Sequence, residues 1–472
     1  MTLENPRRPL DTRLIGPGLF LLWLLVTIDA WGGPQITGLA AAWLFPVLIA
    51  LQAIRVRRMR LIFVGIGLAL ILAALSLRSD GGAQILAAFD RAAFIMAFFT
   101  ALTTLRHAAD TSAGITACGM FLAHQPPGRR YIALSAGAHM FAVPLNFGSI
   151  ALLGSLSVAS AADEPDPEIR HIRTRRMLLA IQRGFSAMLP WSPLAFAVVI
   201  STVLLPDLIW ARAVPYALVS SGILIGVGWA LDTIFKPRRA GTAAVTPEDD
   251  GQSWASVLPL LTLLVVLIGL VLAIHQITGM RVTAVILLQV PALAVAWFAL
   301  QAPRSARLRD TLARSRTLIR DDLPEYREEL LLIGMAGFIG ALGATLLTPW
   351  VAAAGLNLSG LPAWAALVVL IWLIPLAGQV GMSPLLAVTL MFPIIPAPAD
   401  LGVSTTTLFV AITGGWTLGA ISSPFAAPTL LMARFGGVSP LHVSWRWNGA
   451  YTLLCGLCIS AWVVAMTHFG LG

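Results

Sequence analysis

Charge is what this sequence has least of. Only 11% of its 472 residues are Asp, Glu, Lys or Arg, while 58% are hydrophobic, a balance that excludes an ordinary water-exposed globule and points to a polytopic membrane protein. Cysteine is scarcer still. Cys118, Cys455 and Cys458 offer no disulfide framework, and the last two, one helical turn apart in an apolar run, read as packing residues and not as a redox pair. No HExxH, phosphate loop, His/Cys cluster or paired acid and base is present, which removes the usual equipment of an integral membrane enzyme. We therefore read the chain as a non-enzyme, with no catalytic residue, no assigned metal ligand and no cofactor.

What is abundant is apolar sequence. A spanning helix needs about 20 apolar residues, and eleven candidate spans lie near 14–31, 38–55, 60–78, 86–107, 178–205, 212–232, 253–274, 280–301, 328–351, 404–433 and 449–468. Two more stretches, 131–160 and 362–396, are too long for one straight crossing and carry polar or helix-breaking residues at their centres. The first span follows Arg7, Arg8 and Arg13 without a small-residue cleavage site, so it reads as retained. Tryptophans at 31, 210, 254, 350, 364, 445 and 447 fall near span ends, as an aromatic belt would.

The net charge of +9 raises the question of a nucleic-acid partner, but the distribution of the charge answers it. With a cytoplasmic amino terminus, 26 of the 31 basic residues fall on one side of the membrane, including Arg55 to Arg60, Arg170 to Arg176 and the seven arginines from Arg304 to Arg327. That is the positive-inside pattern of a plasma or bacterial inner membrane protein. The partner is a bilayer, not a nucleic acid. The pattern holds only if 131–160 enters and leaves from the cytoplasm, as a re-entrant hairpin; 362–396 then dips in from the opposite face. Leu308, Leu312 and Ile319 share one side of the segment before 328, which reads as a helix on the cytoplasmic surface or a solvated linker.

These segments repeat. A span, a hairpin, a Ser-Pro-interrupted span and a final span occur in 86–232 and again, oppositely oriented, in 328–468. Pro144 and Pro375 stand 231 residues apart, as do Ser192 and Ser423. The expected organisation is a cytoplasmic segment with first helix (1–35), a first inverted repeat (36–235), a cytoplasmic linker (236–252) and a second repeat (253–472). Pro144, Pro193, Pro375 and Pro424 are the expected helix-break positions, because proline removes a donor that lipid cannot replace.

In order and number of elements the chain resembles the divalent anion:sodium symporter family and the ion transporter superfamily around it. The resemblance implies an all-α fold of about eleven transmembrane helices, two re-entrant hairpins and two broken helices in inverted repeats. It also implies an elevator-type secondary transporter, a homodimer, and a small solute held between the hairpin turns. That family carries Ser-Asn-Thr at each hairpin tip. Here the tips read Asn146-Phe147-Gly148-Ser149 and Gln379-Val380-Gly381-Met382-Ser383, so dicarboxylate as substrate and sodium as coupling ion do not carry over directly.

Broken helices in inverted repeats build midplane sites from helix ends and small polar side chains. The expected substrate contacts are Asn146, Ser149 and Ser192 on one side and Gln379, Ser383, Ser422 and Ser423 on the other, groups able to bond an oxyanion or a dehydrated sodium. Their alternative role is helix capping. Arg183, inside a span, reads as an anion anchor or as a side chain snorkelling to the interface, the second being favoured. His139 is the proton-carrier candidate, with packing as its alternative. A cation/proton antiporter is the competing function, and it lacks the intramembrane carboxylate it would want.

Overall fold

The computed structural model describes residues 10–126, 128–235, 253–353 and 360–472. The expected 236–252 linker, and Arg7 and Arg8, lie outside the described residues. Among them there is no strand. In chain order the helices are α1 (Leu10–Ala30), α2 (Gln35–Ala53), α3 (Arg58–Leu77), α4 (Gly81–Asp110), α5 (Ala113–Ala123), α6 (Arg130–Leu145) and α7 (Phe147–Ala162). Next come α8 (Pro167–Met188), α9 (Phe196–Leu204), α10 (Trp210–Ile234), α11 (Leu258–Thr278), α12 (Val282–Gln301), α13 (Arg307–Thr317) and α14 (Arg327–Ala353). The last are α15 (Ala363–Gln379), α16 (Pro384–Met391), α17 (Pro398–Leu401), α18 (Thr405–Ser422), α19 (Ala427–Gly436) and α20 (Gly449–Phe469).

Ten helices among the described residues are long and apolar enough to cross a membrane, one fewer than the eleven expected. The missing one is 178–205. It divides into α8, whose first three turns carry Arg170, Arg173, Arg175 and Arg176, and the nine-residue α9, so neither piece holds a full apolar window. This is a multi-pass membrane protein. The stretch 131–160 is a helical hairpin, α6 and α7, of 16 residues each, or about 24 Å per arm, which is short of a hydrocarbon core of about 30 Å. The stretch 362–396, expected as a second hairpin, holds a 17-residue helix and an eight-residue one joined by the turn at 380–383.

The prolines expected to break helices divide into two groups. Pro193 and Pro424 lie in true interruptions, residues 189–195 and 423–426. Pro144 and Pro375 instead sit inside α6 and α15, with the turns at Asn146 and at 380–383. In α15 the ring costs the Ile371 carbonyl its helical donor. Gly415 of α18 fits against that point, where a β-carbon would stand 2.9 Å from the Ile371 oxygen.

The helices sort into two compact units, each drawn from both halves of the sequence. One comprises Met1–Ala108, Leu270–Leu356 and Thr389–Ile394. Its core holds Phe45, Phe89 and Phe338, with Phe89 and Phe338 stacked at 5.2 Å. The indoles of Trp23 and Trp31 donate to the Leu287 and Ala284 carbonyls at 2.8 and 3.0 Å, tying α1 to α12. At one end Arg60 pairs with Glu328 at 3.1 Å and Arg106 with Glu329 at 3.8 Å, which gathers the basic ends of α3 and α4 at the start of α14. The segment before α14 is helical over α13, and Leu308 and Leu312 are exposed on it.

The second unit comprises Ala109–Gly269, Asn357–Val388 and Ile395–Gly472. It contains both hairpins, apart from the far end of α16, and both interrupted helices. Within it α6 packs along α8, and α15 along α18. Asp166 caps α8 by accepting from the amides of Glu168 and Ile169, with Pro167 in the first turn, and Ser404 caps α18 by accepting from Thr407.

Candidate functional site

Each hairpin turn lies against the interruption in the helix beside it. At the first, Phe147 stacks on Phe185 of α8 at 5.4 Å and on Phe196 of α9 at 6.0 Å, so the turn straddles the gap between those helices. At the second, Ser423 donates to the Gly378 carbonyl at 2.7 Å, and the Gln379 amide donates to the Ser422 carbonyl at 3.2 Å.

Asn146 forms the first turn alone, at φ 49° and ψ −127°. It is the single non-glycine residue of positive φ among the described residues. That conformation favours glycine, and holding another residue in it costs about 1–3 kcal/mol. Its backbone oxygen accepts from the amide and the hydroxyl of Ser149 at 3.1 and 2.7 Å. Its side-chain Oδ1 is buried with no hydrogen-bond partner.

The expected serines are all hydrogen-bonded within the protein. Buried Ser192 accepts from the Leu194 amide at 3.4 Å, Ser423 from Phe425 at 3.2 Å, and exposed Ser383 from Leu386 at 3.3 Å as the cap of α16. Gln379 is a clamp. Its amide also donates to the Pro375 carbonyl at 3.2 Å, and its Oε1 accepts from the Trp445 indole at 3.2 Å. The structure thus brings Gln379, Ser422 and Ser423 together, and Asn146 with Ser149. No hydrogen bond among the described residues joins the first group to the second.

Arg183 does not snorkel. It is 5% exposed, and its guanidinium donates to Asn448 Oδ1, the Tyr131 hydroxyl and the Trp447 carbonyl, each at 3.3 Å, while lying 4.4 Å over the Tyr451 ring. No carboxylate lies within 4 Å of it among the described residues. Asn448 also donates to Gln182 at 2.9 Å. A six-residue π-helical turn, His442–Trp447, presents the Trp447 carbonyl and Asn448 to Arg183. His139 accepts from the Trp191 indole at 3.2 Å, their rings stacked at 5.7 Å, and Trp191 in turn accepts from the Trp210 indole at 2.9 Å. Trp210 and Trp447 are buried and do not join the expected belt, whereas Trp254, Trp350, Trp364 and Trp445 are exposed. Asn448, Gln182, Tyr131 and Trp191 carry no local sequence signal, because what recruits them is contact across long separations.

The fold is known from solved structures. Over 88% of this chain and 99% of the other it is similar to the YdaH transporter of Alcanivorax borkumensis, described as having an unusual topology, with a TM-score of 0.55 and 17% identity. Over 88% of this chain and 96% of the other it is similar to MtrF of Neisseria gonorrhoeae, described as illuminating a class of antimetabolite efflux pumps, with a TM-score of 0.52 and 14% identity. At such identities the likeness is one of fold. No family model matches the chain, and no curated protein does.

Proposed function

We propose that this protein is a secondary active transporter of a small anionic, carboxylate-like solute, driven by a sodium or proton gradient. The observation that carries the reading is Asn146, held in a costly backbone conformation at a hairpin turn with a buried oxygen left unpaired. Such strain persists where the surroundings enforce it and gathers at functional sites. Its oxygen and the carbonyls at the end of α6 suit a dehydrated cation, while helix starts at the interruptions suit an anion. Arg183, without a carboxylate partner, supplies positive charge in the same unit. Both neighbouring folds belong to proteins described as a transporter or as an efflux pump, which favours transport over other membrane roles.

The mechanism we infer is alternating access of the elevator type, in which the unit holding both hairpins would carry the solute. The matched prolines and serines at an offset of 231 support inverted repeats, and the basic residues support a cytoplasmic amino terminus. The test is a thermal-shift screen of carboxylates, sulfonates, sulfate and phosphate with sodium varied, followed by uptake into vesicles under an imposed sodium or proton gradient. A stabilising anion that is then accumulated is the expected result. Cation exchange with no anion moved would overturn it.

A further inference from the structure

A second charged cluster lies apart from the hairpin turns. Arg130 opens α6, Arg173 and Arg176 follow on α8, and Asp232 ends α10. Arg176 grips Asp232 through two bonds of 2.8 and 2.6 Å, and the pair is largely buried, with side chains 26% and 11% exposed. That pairing uses the carboxylate. Arg173 reaches the Ser160 hydroxyl through one terminal nitrogen at 2.9 Å, and its Nε is buried with no partner. Arg130 donates through Nε to the Gln125 carbonyl at 2.7 Å, leaving both terminal nitrogens free of protein acceptors among the described residues.

Among the described residues, only Arg176 of these three half-buried guanidiniums holds a carboxylate. Burial first, and then the charges of Arg173 and Arg176, push Arg130 down to about 10, so the cluster destabilises its own charge and an added anion would relieve it. Guanidinium forks carried by two helices that pack together match the oxygens of a phosphate group. Basic pockets between helices at a membrane face are where acidic headgroups bind.

We propose that Arg130, Arg173 and Arg176 form a binding site for a phosphate-type oxyanion at the end of the first hairpin. Its source is either the headgroup of an anionic phospholipid or a free phosphate ion. The occupant ties α6 to α8 and so steadies the base of the hairpin whose tip carries Asn146.

The test reads binding and not transport. Thermal unfolding of the full-length protein is followed in phosphatidylglycerol and in phosphatidylcholine nanodiscs, and in detergent with inorganic phosphate against chloride at equal ionic strength. Wild type is expected to gain about 2 °C or more from phosphatidylglycerol, from phosphate, or from both. A gain from the lipid alone assigns the headgroup, and a gain from phosphate assigns the free ion. Arg130→Gln with Arg173→Gln should abolish the gain, while Arg304→Gln with Arg309→Gln, exposed just before and on α13, should keep it. Should the first pair fail to fold, Arg173→Gln alone, which gives up only the Ser160 bond, should lose at least about half of it. No gain in any arm, or an undiminished gain in Arg173→Gln, overturns the proposal.

Discussion

Ser192 and Ser423, each in a helix interruption, make the same three hydrogen bonds. The Ser192 amide donates to Met188 and the Ser423 amide to Gly419; each carbonyl then accepts from an alanine three residues on, Ala195 or Ala426. Each hydroxyl accepts from the residue two positions on, Leu194 or Phe425. Every member of one set lies 231 residues from its counterpart. Gly184 and Gly415, at the same offset, each face the backbone of the neighbouring hairpin arm, at Ser135 and Ile371. Four Ser-Pro pairs in one chain make a chance sequence match easy. A shared bonding pattern around the matched serines is harder to obtain by chance.

The pattern differs in one bond, and that difference can be measured. Ser192→Ala removes an acceptor from one amide and should cost about 1 kcal/mol. Ser423→Ala removes the same acceptor and also the 2.7 Å bond to Gly378, whose carbonyl keeps only the longer 3.3 Å bond from the Gly381 amide, so about 2 kcal/mol is expected. Equal losses in thermal or denaturant unfolding would mean that the Gly378 bond does not hold the second turn.

A β-carbon on Gly184 would fall onto the Ser135 carbonyl oxygen and stand 2.8 Å from that residue's carbonyl carbon and Cα. Backbone cannot step aside as a flexible side-chain end can. Gly184→Ala should therefore part α6 from α8 at about 1–3 kcal/mol, whereas Gly222→Ala in α10, with open space around it, should unfold no earlier than wild type. If both variants unfold together with wild type, the close approach of α6 and α8 is wrong.

How far the sequence could be read follows from these contacts. Crossings were legible because length and apolarity alone define them, and the two interruptions because Ser-Pro cannot continue a helix. The hairpin tips read from the sequence, Asn146–Ser149 and Gln379–Ser383, coincide with the turns, whereas Pro144 and Pro375, expected to break helices, sit inside them. A proline in a last helical turn is tolerated where a glycine such as Gly415 leaves room beside the freed carbonyl, and that glycine lies 40 residues away. Helix α5 was not anticipated, since 11 residues are too few to register as a span. Distance to the span end favours snorkelling for Arg183, yet its position is set by Tyr131 and Asn448, on segments 52 and 265 residues away.

Asn146 allows stability and function to be separated. Glycine at this position relieves the positive-φ strain and removes the unpaired oxygen, so Asn146→Gly should unfold about 1 kcal/mol later than wild type. The same variant should lose the thermal shift given by the transported solute or its coupling cation. A stabilised protein that keeps the full ligand shift would remove Oδ1 from the site.

His139 and Trp191 form the last testable pair. Because the indole N–H donates to Nε2, the imidazole in this arrangement carries a lone pair there and is neutral; an imidazolium would have to give up the bond. His139→Phe keeps a ring against the indole but strands its N–H, at about 1–3 kcal/mol. Trp191→Phe leaves His139 without its donor. The double variant should cost less than the sum of the two by about 1 kcal/mol, the coupling of a stacked, hydrogen-bonded pair. If His139 only packs, the double variant will still accumulate solute under a proton gradient in vesicles. If it carries the proton, uptake driven by that gradient will vanish in both His139 variants and survive in Trp191→Phe, whatever their unfolding temperatures.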